Sequence, residues 1–279
     1  MRSFLVSSAS VRATTSQRSR RQSTTADAPS GDELGHRSKG LPTSRYASSV
    51  NEPGALLASG RDSDVFEYGS GLVLRRSREG HSMSTEARTM EYVRGLGYPV
   101  PAIAEISDDG TDLVMERVDG PSMLDEIGRR PWTVRRQARL LADLHQRLHR
   151  IPAPEWLPAA PCGEGDRLVH LDLHPLNVII SAKGPVVIDW PNARRGDPNT
   201  DVALTWLLLA AGEVPDGGLK STLLSKGRDL LVNAFIAPFD SAQLKAQLAD
   251  VVAWKVKDPH MSAVEQKAMW SLLREHREG

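Results

Sequence analysis

The stretch His170-Leu171-Asp172-Leu173-His174-Pro175-Leu176-Asn177-Val178-Ile179-Ile180, followed by Val186-Val187-Ile188-Asp189-Trp190, decides the fold. Asp172 is a carboxylate able to take a proton from a hydroxyl. Asn177 offers an amide oxygen and Asp189 a second carboxylate. That pair suits magnesium on a triphosphate, because magnesium takes few protein oxygens and keeps phosphate oxygens and water around it. Two short apolar runs, 178–180 and 186–188, flank Ser181-Ala182-Lys183-Gly184-Pro185. The simplest structure is a hairpin that turns over those residues. Asn177 then enters the first strand and Asp189 leaves the second, so both ligands lie at one end of the ladder. A zinc site built from His170, Asp172 and His174 is the weaker reading. Pro175 opposes a continuing helix there, and Cys162 is the single cysteine.

Histidine, any residue, aspartate, four residues, asparagine is also the spacing of the protein-kinase catalytic loop. The whole block from Val169 to Val178 resembles the catalytic loop of the aminoglycoside phosphotransferase family, which shares a fold with choline kinases and, more distantly, protein kinases. Ile188-Asp189-Trp190 is similar to that family's magnesium-binding segment, and Gly196-Asp197-Pro198-Asn199-Thr200-Asp201-Val202-Ala203 to the segment after it. The resemblance runs from Leu56 to the C-terminus and is looser in the first half. It implies an α+β, bilobal, protein-kinase-like fold with a small antiparallel-sheet N-lobe and a mainly helical C-lobe. The expected divisions are a 1–50 extension, an N-lobe over 51–117 and a C-lobe over 118–279.

The same resemblance implies transfer of the γ-phosphoryl group of ATP or GTP to a hydroxyl on a small molecule, with Mg2+ as cofactor. Asp172 orients that hydroxyl and accepts its proton. His174 donates to the γ-phosphate or packs the loop, and His170 braces the segment around Asp189. Asn177 and Asp189 hold the metal. Arg75 steadies the α and β phosphates where related folds carry lysine, and Glu86 pairs with it or simply complements its helix dipole. Gly60 and Ser63 form a turn over the phosphates, Glu116 opens the hinge that meets the adenine, and Asp201 supports the catalytic loop from below. Three residues depart from the family pattern. Leu171 stands where glycine is frequent, Arg75 replaces lysine, and Trp190-Pro191 replaces the Phe-Gly of protein kinases. With only a short path from Asp189 to Asp201, there is no room for a protein-kinase activation segment. A nucleotide-binding pseudokinase with a regulatory role is the alternative, opposed by the intact Asp172, Asn177 and Asp189.

Composition narrows the classes further. The 279 residues are 40% hydrophobic, enough for a core in each of two small lobes. Lys+Arg and Asp+Glu both number 35, so net charge gives no sign of a nucleic-acid partner. No apolar run approaches the roughly 18 residues of a membrane span. A single cysteine fits a reducing cytosol, and a cytoplasmic monomer or homodimer is expected. Residues 1–25 carry Arg2, Arg12, Arg18, Arg20 and Arg21 and no acidic residue. That composition occurs in organelle transit peptides, but Ser7 to Ser19 lacks an apolar helical stripe, so a disordered extension is expected.

Along the chain, Leu56–Ser59, Val65–Tyr68 and Leu72–Arg75 read as an antiparallel meander. Side chains alternate along a strand, so only one of Arg75 and Arg76 faces the cleft. The resemblance favours Arg75. Ser84–Leu96 reads as a helix with Ser84 as N-cap, and 103–106 with 113–116 as a hairpin. Ala138, Leu141, Ala142, Leu144 and Leu148 follow helical spacing, with His145 and His149 four residues apart on the same helix. Asp197-Pro198 starts another helix, and three more follow over 219–239, 241–257 and 262–276. The acceptor is not legible. Glu213, Asp216, Asp250 and Asp258 are candidate carboxylates for a cationic sugar. Trp206, Trp254 and Trp270 are candidates for a choline-type cage.

Overall fold

The computed structural model describes residues 52–60, 62–211, 219–259 and 261–277. The 1–50 extension, Arg61 of the first turn, and Glu213 and Asp216 lie outside them. Strands β1 (Leu56–Ser59), β2 (Ser63–Glu67), β3 (Leu72–Ser77), β4 (Ile103–Ile106) and β5 (Asp112–Glu116) form one antiparallel sheet in the order β1-β2-β3-β5-β4. Helix α1 (Ser84–Gly95) links β3 to β4 and buries Glu86, Ala87, Thr89, Met90 and Val93 along one stripe. Ser84 does not cap this helix. The cap position is Met83, without a side-chain bond, and the Ser84 N–H donates instead to Ser82 Oγ at 3.3 Å.

The sheet settles which arginine points inward. Arg75 stands opposite Leu113, which is fully buried, while Arg76 stands opposite Asp112 and bonds it across the strands at 2.6 and 2.8 Å. The pleat sends successive side chains to opposite faces, so Arg75 is largely covered and Arg76 exposed.

After Glu116 the chain is mainly helical: α2 (Met123–Arg129), α3 (Val134–Leu148), α4 (Pro198–Ala211), α5 (Leu219–Ile236), α6 (Ser241–Lys255) and α7 (Ala263–Arg277). α2 escapes a periodicity search because seven residues give no stripe to count. What starts it is local: Ser122 Oγ accepts the Asp125 N–H at 3.0 Å. α4 starts where Asp197-Pro198 predicts, with Asp197 Oδ1 accepting the Asn199 N–H at 2.8 Å. It is the central helix, packed against α5, α6 and α7 and buried on nearly every side. Three polar residues on it, Thr200, Asp201 and Thr205, are nonetheless buried. Two small ladders carry the loops: β6 (Arg167–Val169) with β9 (Arg194–Gly196), and β7 (Val178–Ser181) with β8 (Gly184–Val187). The second is the expected hairpin. Its turn is tighter than expected, because Ser181 already pairs with Gly184 and only Ala182 and Lys183 remain between the strands. Pro185 fits because this two-stranded ladder leaves its nitrogen an open edge. Among the described residues no helix is long and apolar enough to cross a membrane.

Gly165 makes the closest backbone approach beside β6. A Cβ there would lie 2.3 Å from the Gly196 carbonyl oxygen and 2.7 Å from the Asp197 nitrogen. Neither atom is the end of a flexible side chain, so Gly165→Ala should cost about 1–3 kcal/mol, read as a lowered urea midpoint.

Candidate active site

The backbone of the loop 170–177 is bent, and the bend sits on a residue that resists it. Leu171 has φ 57° and Asp189 φ 68°, both in the left-handed region that side chains disfavour. The loop keeps this shape because Asp201 holds it. Asp201 is fully buried on α4; its Oδ2 accepts the His170 N–H at 3.0 Å and its Oδ1 the Leu171 N–H at 2.7 Å. His149 Nε2 adds a third contact at 3.0 Å. Burial pushes the Asp201 carboxyl upward, but the hydrogen bonds and charges of His145 and His149 outweigh it and hold the group well below the carboxylate range. His145, His149 and Asp201 bring one ligand atom each within 4.8 Å of one another, the arrangement of a possible metal cluster. Each is already engaged by protein: Asp201 by the two loop amides and His149, and His145 Nε2 by the Leu173 carbonyl.

Asp172 follows the bend. Burial raises its pKa, but the charge and hydrogen bond of His174, with smaller effects from His170 and Lys255, leave it lowered overall, and so ionised at neutral pH. His174 Nε2 lies 3.4 Å from Asp172 Oδ1, while its Nδ1 accepts the Leu176 N–H at 3.3 Å. In this arrangement His174 serves the loop and the carboxylate. Asn177 donates through Nδ2 to the Asp172 carbonyl at 2.9 Å and to Asp172 Oδ2 at 3.2 Å. Two acceptors on one side fix the amide orientation and turn Oδ1 the other way, where it is buried with no hydrogen-bond partner. An orphaned amide oxygen is what a cation ligand looks like before the cation arrives. The Ile188 N–H donates to the Asn177 carbonyl at 3.0 Å and Val178 pairs with Val187, so Asn177 and Asp189 flank the same end of the β7–β8 ladder. The donor set, one amide oxygen and one carboxylate, fits magnesium.

Across the cleft, Arg75 Nη1 meets Glu86 Oε1 at 2.5 Å and Arg75 Nη2 reaches Asp189 Oδ1 at 3.5 Å. Glu86 Oε1 also accepts the Trp190 N–H at 3.2 Å. One buried carboxylate on α1 thus joins β3 to the segment carrying Asp189. Burial pushes Glu86 upward against the pull of Arg75. Burial lowers Arg75, but the charges of Glu86 and Asp189 more than restore it. Arg75 Nε donates to Ser63 Oγ at 2.7 Å, so Ser63 connects to the site through the guanidinium. The Gly60 N–H donates to the Ser63 carbonyl at 2.8 Å and closes the first turn. His170 is buried, kept neutral by desolvation, and its Nε2 lies 3.3 Å from the Ile188 carbonyl, a brace beside Asp189.

Glu116 stands apart from this group. Its carboxylate accepts the Ala102 N–H at 3.2 Å and its own N–H donates to the Ala102 carbonyl, so both face β4. Trp206 is 3% exposed and packs on His276, which takes it out of any open aromatic cage; Trp254 is half-buried and Trp270 exposed. Asp250 is exposed, and Asp258 pairs with Lys255 at 3.0 Å. Lys255, whose charge acts on Asp172, is a site neighbour that sequence reasoning missed. It lies 83 residues from Asp172 at the end of α6, and no motif marks it.

These features together have known counterparts. The model of the phosphotransferase enzyme family matches residues 54–167 and 155–222. The chain belongs to that family. A search of curated proteins finds no match. Among solved structures, aminoglycoside phosphotransferase APH(2'')-Ib with bound ADP is 18% identical and superposes with a TM-score of 0.53, covering 82% of this chain and 91% of that one. The gentamicin complex of APH(2'')-IIa gives 16% identity and a TM-score of 0.52 over 82% of this chain and 90% of that one. A choline/ethanolamine kinase family protein from Mesorhizobium loti gives 13% identity and a TM-score of 0.51 over 82% and 89%. At such identities the likeness shows the fold: this family member has the bilobal α+β architecture of kinase-like phosphotransferases.

Two outcomes follow from the loop. Leu171→Gly should relieve about 1–2 kcal/mol of left-handed strain. It also deletes a buried side chain worth about 2–5 kcal/mol, so the net change should be a lower melting temperature. Asp201 has a depressed folded-state pKa, so its stabilisation is present above the ordinary value of 3.8 and is lost as pH falls below it. The gap in urea midpoint between wild type and Asp201→Asn should therefore be widest near neutrality and narrow below that value.

Proposed function

We propose that this phosphotransferase moves the γ-phosphoryl group of ATP to a hydroxyl of a small molecule. The observation that carries this reading is the convergence of Asp172, Asn177 with its orphaned Oδ1, and Asp189, with the Arg75–Glu86 pair opposite. Ionised Asp172 accepts the hydrogen bond of the acceptor hydroxyl and then its proton. Asn177 keeps that carboxylate in place by donating to its Oδ2, which leaves Oδ1 toward His174 and the acceptor. Asn177 Oδ1 and Asp189 are the residues that would hold Mg2+, which when bound neutralises charge on the phosphate oxygens. Arg75, fixed by Glu86 and already within reach of Asp189, supplies a permanent positive charge for the α and β phosphates. Of the hinge, the Arg117 N–H is spent on the Gly71 carbonyl and the Glu116 N–H on Ala102. Val118 is then our candidate to bond the adenine. Lys255, whose charge acts on Asp172, is paired with Asp258, a cation and anion that suit a polar acceptor bearing charge, such as an amino sugar or amino alcohol.

The test is turnover. Purified protein with Mg2+ and ATP, offered aminoglycosides, macrolides, choline, amino alcohols and sugars, should consume ATP with at least one of them. Asp172→Ala should lower kcat about 100- to 10,000-fold while ATP still binds. A wild-type protein that binds ATP yet turns over no acceptor would favour the pseudokinase alternative.

A further inference from the structure

The loop that carries Asp172 is gripped at two points. Asp201 takes the N–H groups of His170 and Leu171, on the N-terminal side of Asp172. On its C-terminal side the Leu173 carbonyl is held by two side chains from two helices. Thr205 of α4 donates to it at 2.9 Å, and His145 Nε2 of α3 lies 3.1 Å from it. A carbonyl only accepts. Thr205 has one proton and spends it there, so His145 must present Nε2–H to share the same oxygen. Thr205 Oγ1, 3.3 Å from Nε2, is the remaining acceptor for that N–H. The other ring nitrogen, Nδ1, is fully buried, makes no hydrogen bond, and lies 3.7 Å from Asp201 Oδ2. The ring is wedged against Phe235, with centroids 5.3 Å apart, and against His149 at 5.5 Å.

We propose that His145 and Thr205 are positioning residues for the phosphoryl transfer proposed above. They anchor the Leu173 carbonyl as Asp201 anchors the two amides, so that Asp172 is held from both sides across the strained bend at Leu171. This rests on the phosphotransferase reading for its consequence in rate, and on geometry alone for its consequence in loop order. Both side chains are buried and act through the loop backbone. The sequence offers His145 and His149 only as an i, i+4 pair on an apolar helix, whereas the structure gives His145 a carbonyl to hold.

The experiment compares full-length wild type with His145→Leu, His145→Gln, Thr205→Val and Thr205→Ser. Hydrogen exchange is followed over residues 170–177, together with kcat and KM for Mg2+-ATP consumption with water as the acceptor. Glutamine carries an N–H2 that reaches toward the Nε2 position, and serine keeps the hydroxyl. His145→Leu and Thr205→Val should each speed exchange of this segment and lower kcat by about tenfold or more, the loss expected for a buried hydrogen bond, with the KM for ATP within about twofold. His145→Gln and Thr205→Ser should recover most of both. The proposal is overturned if the leucine and valine variants exchange and turn over as wild type does. It is equally overturned if glutamine is as damaging as leucine and serine as valine, since the residues would then act by packing. Should His145→Leu fail to fold, the valine and serine pair decides. Wild type that turns over neither water nor any of the acceptors above, but shows the expected exchange pattern, would remove the phosphotransferase reading and leave the two-point anchor standing.

Discussion

The buried carboxylate of Asp201 is the constraint on which the site depends. A charged group with no exposure is costly unless its lone pairs are filled, and here two backbone amides and a histidine fill them. The arrangement works in both directions. The amides make the buried charge tolerable, and the charge holds Leu171 at a φ of 57° that leucine would not otherwise keep. Removing either side leaves the other uncompensated. The helix that carries Asp201 is buried along most of its length, so the anchor sits within the packed core.

A second carboxylate, Glu86, joins the sheet to the loops. It binds Arg75 on β3 and the backbone N–H of Trp190, the residue after Asp189. Trp190 is 1% exposed and packs edge-on against Tyr98 and, tilted, against His170, so the Glu86 contact is held on its far side by core packing. Substituting arginine for the lysine expected at position 75 suits this geometry. A guanidinium has five donors in a plane, and three of its nitrogens are engaged at once, by Ser63, Glu86 and Asp189. A lysine ammonium is a single point and reaches fewer partners across that spread. The departure from the family pattern therefore comes with a matching set of acceptors.

Much of this was legible from residue order. The β7–β8 hairpin followed from two β-branched runs around a Gly-Pro turn, and α3 from an apolar stripe at helical spacing. The start of α4 followed from an acidic cap before proline. In each case the signal is local: the residues that specify the element are the residues that form it. The misses share the opposite property. α2 has seven residues and β6 and β9 three each, too short for periodicity to register. Ser84 looked like a cap, but the cap position falls on Met83, which makes no side-chain bond, and composition does not fix a helix boundary to one residue.

At the site the division is similar. Asp172, Asn177 and Asp189 lie within 18 residues, the last two flanking one hairpin and Asp172 in the loop that leads into it, so their spacing already suggested that they meet. Whether Arg75 or Arg76 turns inward depended on the register of β3 against β5, which sets Leu113 behind one and Asp112 behind the other. What His145 does depended on α3 and α4 meeting beside the loop, and the nearness of Lys255 to Asp172 on α6 returning to it. Sequence by itself picked out the candidate centre, because its spacing is written along one stretch of chain. The tertiary structure decided what holds that centre in place, because buried hydrogen bonds join residues whose separation in sequence carries no information about their distance.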